Sequence, residues 1–128
     1  MDLLLDTCVF IFWDSASGSL TSTAAAALHD ATSRLYLSYA SIWEMQLKYQ
    51  KGKLVLRQPL GEIIQEQCTR NGLLLLPIEL PDIYGFSQLP FHHTDPFDRL
   101  IISQAKLRGL SIITDDREFA QYGVPVVG

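Results

Sequence analysis

Blocks of apolar residues separated by short polar breaks mark out the elements of this chain. Residues 3–5 are all leucine and are followed by Asp6, the pattern of a strand buried on both faces. An alanine-rich stretch over 21–31 predicts a helix, 35–37 a second short strand, and 42–49 a helix ended by Gly52. Another helix over 61–70 stops at Asn71-Gly72, a third strand covers 73–77, and a short helix covers 82–88. Apolar positions at helical spacing from Pro96 to Arg108, with Gly109 just beyond, predict a strong amphipathic helix. Residues 112–114 and 124–127 supply the last two strands. Strands that alternate with helices from end to end predict an α/β fold of three layers, with a parallel sheet between its helices.

The chain has 128 residues, 48% of them hydrophobic, and carries no internal repeat, low-complexity tract or linker, so residues 1–128 are expected to form one domain around one core. Its apolar runs fall far short of the roughly 20 residues needed to span a bilayer. Met1 is followed at once by Asp2, with no basic segment ahead of a cleavable apolar stretch, so the expected location is the cytoplasm. Cys8 and Cys68 have neither metal-site spacing nor the density of a disulfide scaffold, and both are expected to be reduced and buried. The formal charge of −4 argues mildly against a nucleic-acid partner. Its distribution argues the other way, because Lys48, Lys51, Lys53 and Arg57 fall within ten residues, as a local basic surface or as a solvated helix end.

Ligands of open parallel sheets sit beyond the carboxyl ends of the strands. Asp6 follows the first strand, Asp115 and Asp116 follow the "SIIT" strand, and Glu44 lies one turn into the helix after "LYLS". Asp98 is in the first turn of the helix that starts at Pro96, which must run back from that same edge. Four segments therefore aim a carboxylate at one crevice. Each has a capping explanation: Asp95 as N-cap ahead of Pro96, Ser41 and Glu44 as a capping box, and Asp115 or Asp116 as cap of a short helix holding Glu118 and Phe119. Capping does not explain Asp6, nor why every cap at one end of the sheet is acidic. Clustered carboxylates repel unless a cation neutralises them, and oxygen-only ligands select Mg²⁺ or Mn²⁺.

The segments "LLLDT", "SIWEMQLKYQKGKL", "HHTDPFDRLIISQA" and "IITDDREFAQYGVPVV", in this order and over the full length, resemble the PIN-domain nucleases, specifically the VapC-type toxins of bacterial toxin–antitoxin pairs. The resemblance implies a PIN-like three-layer α/β/α sandwich with a central, mostly parallel sheet of about five strands. It also implies a metal-dependent endoribonuclease that uses Mg²⁺, with Mn²⁺ as a substitute, to activate water against an RNA phosphodiester. Its partners would be the RNA substrate, a cognate antitoxin protein and a second copy of itself. The family's acidic set carries over to Asp6, Glu44, Asp98 and Asp116, with Asp6, Asp98 and Asp116 as metal ligands and Glu44 orienting water. Asp115 stands where the family commonly has a basic or variable residue, so Asp115 and Asp116 could exchange roles. Asp95 recurs in this subgroup as helix cap and supporting ligand.

Thr7 and Thr114 are placed to fix the carboxylates by hydrogen bonds. Lys48, Lys51 and Lys53 are candidates for contacts to the RNA backbone. Arg99 could contact phosphate or pair with Asp95. His92 and His93 are read as loop or partner residues and not as an acid–base pair. Two rivals remain. One is a catalytically silent module that binds RNA or a partner. The other is a haloacid-dehalogenase-like phosphatase, disfavoured because Cys8 occupies the position of its second acid.

Overall fold

The computed structural model describes residues 1–91 and 95–128; His92 and His93 lie outside them. Five strands, β1 (Asp2–Leu5), β2 (Arg34–Ser38), β3 (Leu74–Leu76), β4 (Ser111–Ile113) and β5 (Val126–Val127), form one sheet of order β3-β2-β1-β4-β5. Every pairing is parallel, with Leu4 in register with Tyr36 on one side and Ile112 on the other. The order reverses direction at β1, and the crevice that such a reversal opens lies at the ends of β1 and β4.

Helices cover both faces: α1 (Thr7–Asp14), α2 (Ser22–His29), α3 (Tyr39–Gln50), α4 (Leu60–Asn71), α5 (Leu80–Tyr84) and α6 (Pro96–Arg108), with 3₁₀ turns over Gly85–Gln88 and Arg117–Tyr122. Alternation along β1 divides the core. Leu3 and Leu5 pack with Val9 and Phe10 of α1, Met45 of α3 and Ile63 of α4. Leu4 packs on the opposite face with Leu100 and Ile101 of α6, Ile112 and Phe119. Burial of β1 on both faces is why its sequence is an uninterrupted leucine run.

α6 starts at Pro96 and stops at Gly109, which takes the left-handed conformation (φ +66°) that glycine adopts without strain. Other boundaries differ from the pattern. α1 has no counterpart among the expected helices: "TCVFIFWD" is rich in aromatic and β-branched residues that favour strands, and burying Val9 and Phe10 against the sheet overrides that local preference. α3 begins at Tyr39, three residues early, because the Ser38 side chain accepts the Ala40 N–H at 3.0 Å and caps the helix directly off β2. Ser41 and Glu44 both lie inside α3, so the capping explanation for Glu44 does not apply. α5 starts before Asp82, whose side chain accepts the Glu79 N–H at 2.8 Å and is fully buried against Arg108 of α6. Both cysteines are unpaired, but Cys8, expected to be buried, is exposed and Cys68 is only partly covered. Among the described residues no helix is long and apolar enough to cross a membrane.

Candidate active site

The ends of β1 and β4 deliver the first carboxylate. The Asp6 N–H donates to the Ile113 carbonyl at 3.0 Å, which extends the ladder by one residue and fixes the backbone of Asp6. Asp6 occupies the N-cap position of α1, yet its side chain makes no capping hydrogen bond. Instead the Thr114 hydroxyl donates to Asp6 Oδ2 at 2.8 Å, and the Asp116 N–H donates to that same hydroxyl at 3.0 Å. Asp6 is 6% exposed. Burial pushes its carboxyl above the ordinary range, the Thr114 hydroxyl and the Cys8 N–H oppose the rise, and the charges of Glu44 and Asp115 add to it.

Helix α3 supplies the second carboxylate. Glu44 is 5% exposed and both its oxygens are engaged, Oε1 by the Thr7 hydroxyl at 2.8 Å and Oε2 by the Lys48 ammonium at 2.7 Å. The Ser41 hydroxyl lies 2.9 Å from that of Thr7. A carboxylate can only accept, so the Thr7 proton belongs to Glu44 and Ser41 can donate to Thr7. The bond to Glu44 holds the Lys48 ammonium above its ordinary value, against partial burial.

The third comes from α6. Asp95 caps this helix, accepting the N–H of Phe97 at 2.8 Å and of Asp98 at 3.3 Å, and so fixes the first turn that carries Asp98. Phe97 packs edge-on against Trp43 of α3 with centroids 5.0 Å apart, which ties the helix bearing Asp98 to the one bearing Glu44. The Asp98 carboxyl is pushed up to about 8 by burial, and then by the charges of Asp95, Asp6, Glu44 and Asp116. The carboxylates that raise it come from four segments of the chain. Asp116 joins them from the far side of β4, where its side chain caps the 3₁₀ turn by accepting the Glu118 N–H at 3.0 Å. Asp115 is exposed, and its charge acts on Asp6. The Cys8 thiol, partly desolvated beside this field, is pushed up to about 11 by that desolvation and by Asp6, so at neutral pH it is no nucleophile.

The donors gathered here are carboxylate oxygens, the type that suits Mg²⁺ or Mn²⁺, and the repulsion on Asp98 is relieved by a cation. Among the described residues no three side chains form a closed chelating group as they stand. The arrangement fits an open site, in which Asp6, Asp98 and Asp116 would hold a cation directly or through water.

The basic residues divide. Lys51 and Lys53 are exposed and form no ion pair among the described residues. Arg57 is tied to Asp14 at 2.8 Å and to Glu66 at 3.2 Å. Arg99, a candidate for a phosphate or for Asp95, is a buried strut: it is 5% exposed, donates to the carbonyls of Pro90 and Phe86 at 2.9 and 3.1 Å, and lies over the Phe91 ring. Sequence reasoning missed Ser41 as a partner of Thr7 and Lys48 as a partner of Glu44. The i,i+4 spacing of Glu44 and Lys48 was the available signal for that pair.

The sequence matches the PIN domain family model over residues 3–125. Solved structures of similar fold include VapBC2 from Rickettsia felis, bound to a DNA fragment from their promoter, at 14% identity and a TM-score of 0.71, covering 98% of this chain and 97% of that one. VapBC-5 from Mycobacterium tuberculosis, a member of the VapBC family of toxin–antitoxin systems, aligns at 18% identity and a TM-score of 0.58 over 94% of this chain and 89% of that one. The PIN domain endonuclease Utp24 aligns at 13% identity and a TM-score of 0.53 over 98% of this chain and 82% of that one. No curated protein sequence gives a significant match.

Proposed function

This chain belongs to the PIN-domain family, whose members are generally nucleases that use divalent metal ions, and on that premise we propose that it is a Mg²⁺- or Mn²⁺-dependent endoribonuclease acting as the toxin of a toxin–antitoxin pair in the cytoplasm. The observation that carries the reading is the gathering of buried or half-buried carboxylates at the carboxyl edge of the sheet, with Asp6 held by Thr114 and Asp98 set in the turn that Asp95 caps. The likeness to VapBC structures supports the toxin role and a cognate antitoxin partner; the homodimer is carried by the family resemblance alone.

Asp6, Asp98 and Asp116 would hold the cation, which when bound neutralises charge at the phosphate and makes water a better nucleophile. Each residue is fixed for that task by its own neighbours. Thr114 fixes one Asp6 oxygen and receives the Asp116 N–H, so β4 positions two of the three acids through one hydroxyl. Asp95 starts α6 and its capping bonds set the direction of Asp98. Glu44 stays in place through Thr7 and Lys48 and adds to the field that draws a cation.

Attack by water leaves a 5′-phosphate and a 3′-hydroxyl, whereas attack by the RNA's own 2′-hydroxyl leaves a cyclic phosphate. The test is to incubate the purified chain with end-labelled single-stranded RNA in Mg²⁺, Mn²⁺ or EDTA and to determine the new ends. Cutting that needs the metal, leaves 5′-phosphate ends and vanishes in Asp98→Asn is the expected result. Cyclic ends, or undiminished cutting in EDTA, would refute the mechanism and return His92 and His93 as acid–base candidates. Binding of RNA without any cutting would instead favour the silent module.

A further inference from the structure

Four carboxylates at one sheet edge repel a polyanion, so part of the chain has to present positive charge to the strand being cut. The cations near the site are not equally placed to do so. Arg57 is locked to Asp14 and Glu66, and Arg99 is buried with its guanidinium on the carbonyls of Phe86 and Pro90. Lys51 and Lys53 lie beyond the end of α3. Lys48 is different: it sits one turn after Glu44 on α3, its ammonium is 2.7 Å from Glu44 Oε2, and its side chain is 45% exposed while that of Glu44 is 6% exposed. The charge of Asp95, from the opposite wall, also acts on it.

We propose that Lys48 is a substrate-contacting residue, its ammonium steered by the buried Glu44 to grip a phosphate of the bound RNA, with Glu44 serving as a positioning residue. This rests on the ribonuclease reading. The geometry behind it is that Glu44 is clamped at both oxygens, by Thr7 from α1 and by Lys48 from its own helix. A buried carboxylate so held is an anchor, and the partner it anchors is the half-exposed lysine. The anchored ammonium has given up part of its conformational freedom before RNA arrives, which lowers the cost of the contact.

A lysine that only neutralised Glu44 would look the same at rest, and salt dependence separates the two. Each phosphate neutralised on a single strand contributes about 0.7 to the slope of log K against log salt. Binding of a fluorescein-labelled single-stranded RNA of mixed sequence, with Ca²⁺ in place of Mg²⁺, is measured by anisotropy over a salt series for the wild type and for the Lys48→Met, Lys48→Gln and Lys48→Arg variants. Lys48→Gln keeps a donor for Glu44 and loses the charge, which guards against a Lys48→Met chain that folds poorly. The expected result is a slope smaller by about 0.7 in the Met and Gln variants and preserved in Arg. In Mg²⁺, the cleavage losses of Glu44→Gln and Lys48→Gln should not add in the double variant. A wild-type slope in Lys48→Gln overturns the proposal and leaves Lys48 as a counter-ion alone. If the wild-type chain cuts RNA, that outcome sinks only this inference, whereas a wild-type chain that neither binds nor cuts RNA sinks the ribonuclease reading and this one with it.

Discussion

Replacing Asp98 by Asn should make the metal-free protein more stable while destroying its activity. The Asp98 carboxyl rises from 3.8 to about 8 on folding, through burial first and then the charges of Asp95, Asp6, Glu44 and Asp116. Below pH 3.8 the group is neutral in both states and costs nothing. As pH rises from there, the unfolded chain ionises while the folded one holds its proton, and stability falls until the folded carboxyl titrates near 8. At pH 7 the unfolded carboxyl is about three pH units above its pKa while the folded one still holds its proton, an upper bound of about 4 kcal/mol at about 1.4 kcal/mol per unit. Asp98 is half-buried, so solvent screening reduces this to about 2 kcal/mol. Asparagine keeps the size and removes the charge, which converts to about 6 °C in Tm for a chain of this length. The assay is thermal unfolding in EDTA from pH 4 to pH 8.5, with Asp98→Asn gaining on the wild type as pH rises. Added Mg²⁺ should raise the wild-type Tm and leave that of the variant nearly unchanged, since only the wild type keeps the full ligand set. Equal melting at every pH in EDTA, or a variant that melts lower at pH 7, would refute the picture of an overcharged site awaiting a cation.

The other expectations follow from single contacts. Asp95→Asn should retain most RNA cleavage because asparagine caps a helix well, whereas Asp95→Ala should lose about 1 kcal/mol in urea unfolding. An Asp95→Asn chain that is folded yet as inactive as Asp98→Asn would make Asp95 a direct metal ligand. Thr114→Val removes the hydroxyl that holds the Asp6 carboxyl down, so the acid limb of the pH–rate profile should move to higher pH; an unmoved limb would separate Asp6 from the rate. Arg108→Met strands the buried Asp82 carboxylate and should cost about 3 kcal/mol by urea unfolding at pH 7, far from the site and without changing the metal requirement of cleavage.

The fold was legible wherever one physical signal dominated. β1 reads from its leucines because a strand buried on both faces has no polar position to blur the pattern. α6 reads to the residue because Asp95, Pro96 and Gly109 are local stop and start signals that tertiary contacts had no reason to override. α1 fails on both counts: its sequence prefers strand locally, and only the sheet beneath it makes a helix of it. α3 shows a subtler failure. Two serines, Ser38 and Ser41, each offer a cap, and the sequence pattern favours the one with a glutamate three residues on. The structure uses Ser38 because β2 must end there to hand the chain into the crossover.

The position of the helix start bears on the site as well. Taken as half of a capping box, Glu44 has a structural purpose and its acidity needs no further account. Placed six residues into α3, it has no helix end to serve, and it is buried in contact with Thr7 and Lys48. A buried carboxylate without a capping role is expensive, and one held by hydrogen bonds from two elements is held for something. Asp6 follows the same logic: it sits at the N-cap position of α1, yet one of its oxygens is taken by the Thr114 hydroxyl from the end of β4. Asp95 is the contrast, a carboxylate wholly explained by the helix it starts. What distinguishes the three is which N–H groups each carboxylate accepts, and that depends on where the helix begins to within one residue, a boundary set by tertiary packing that spacing along the chain does not encode.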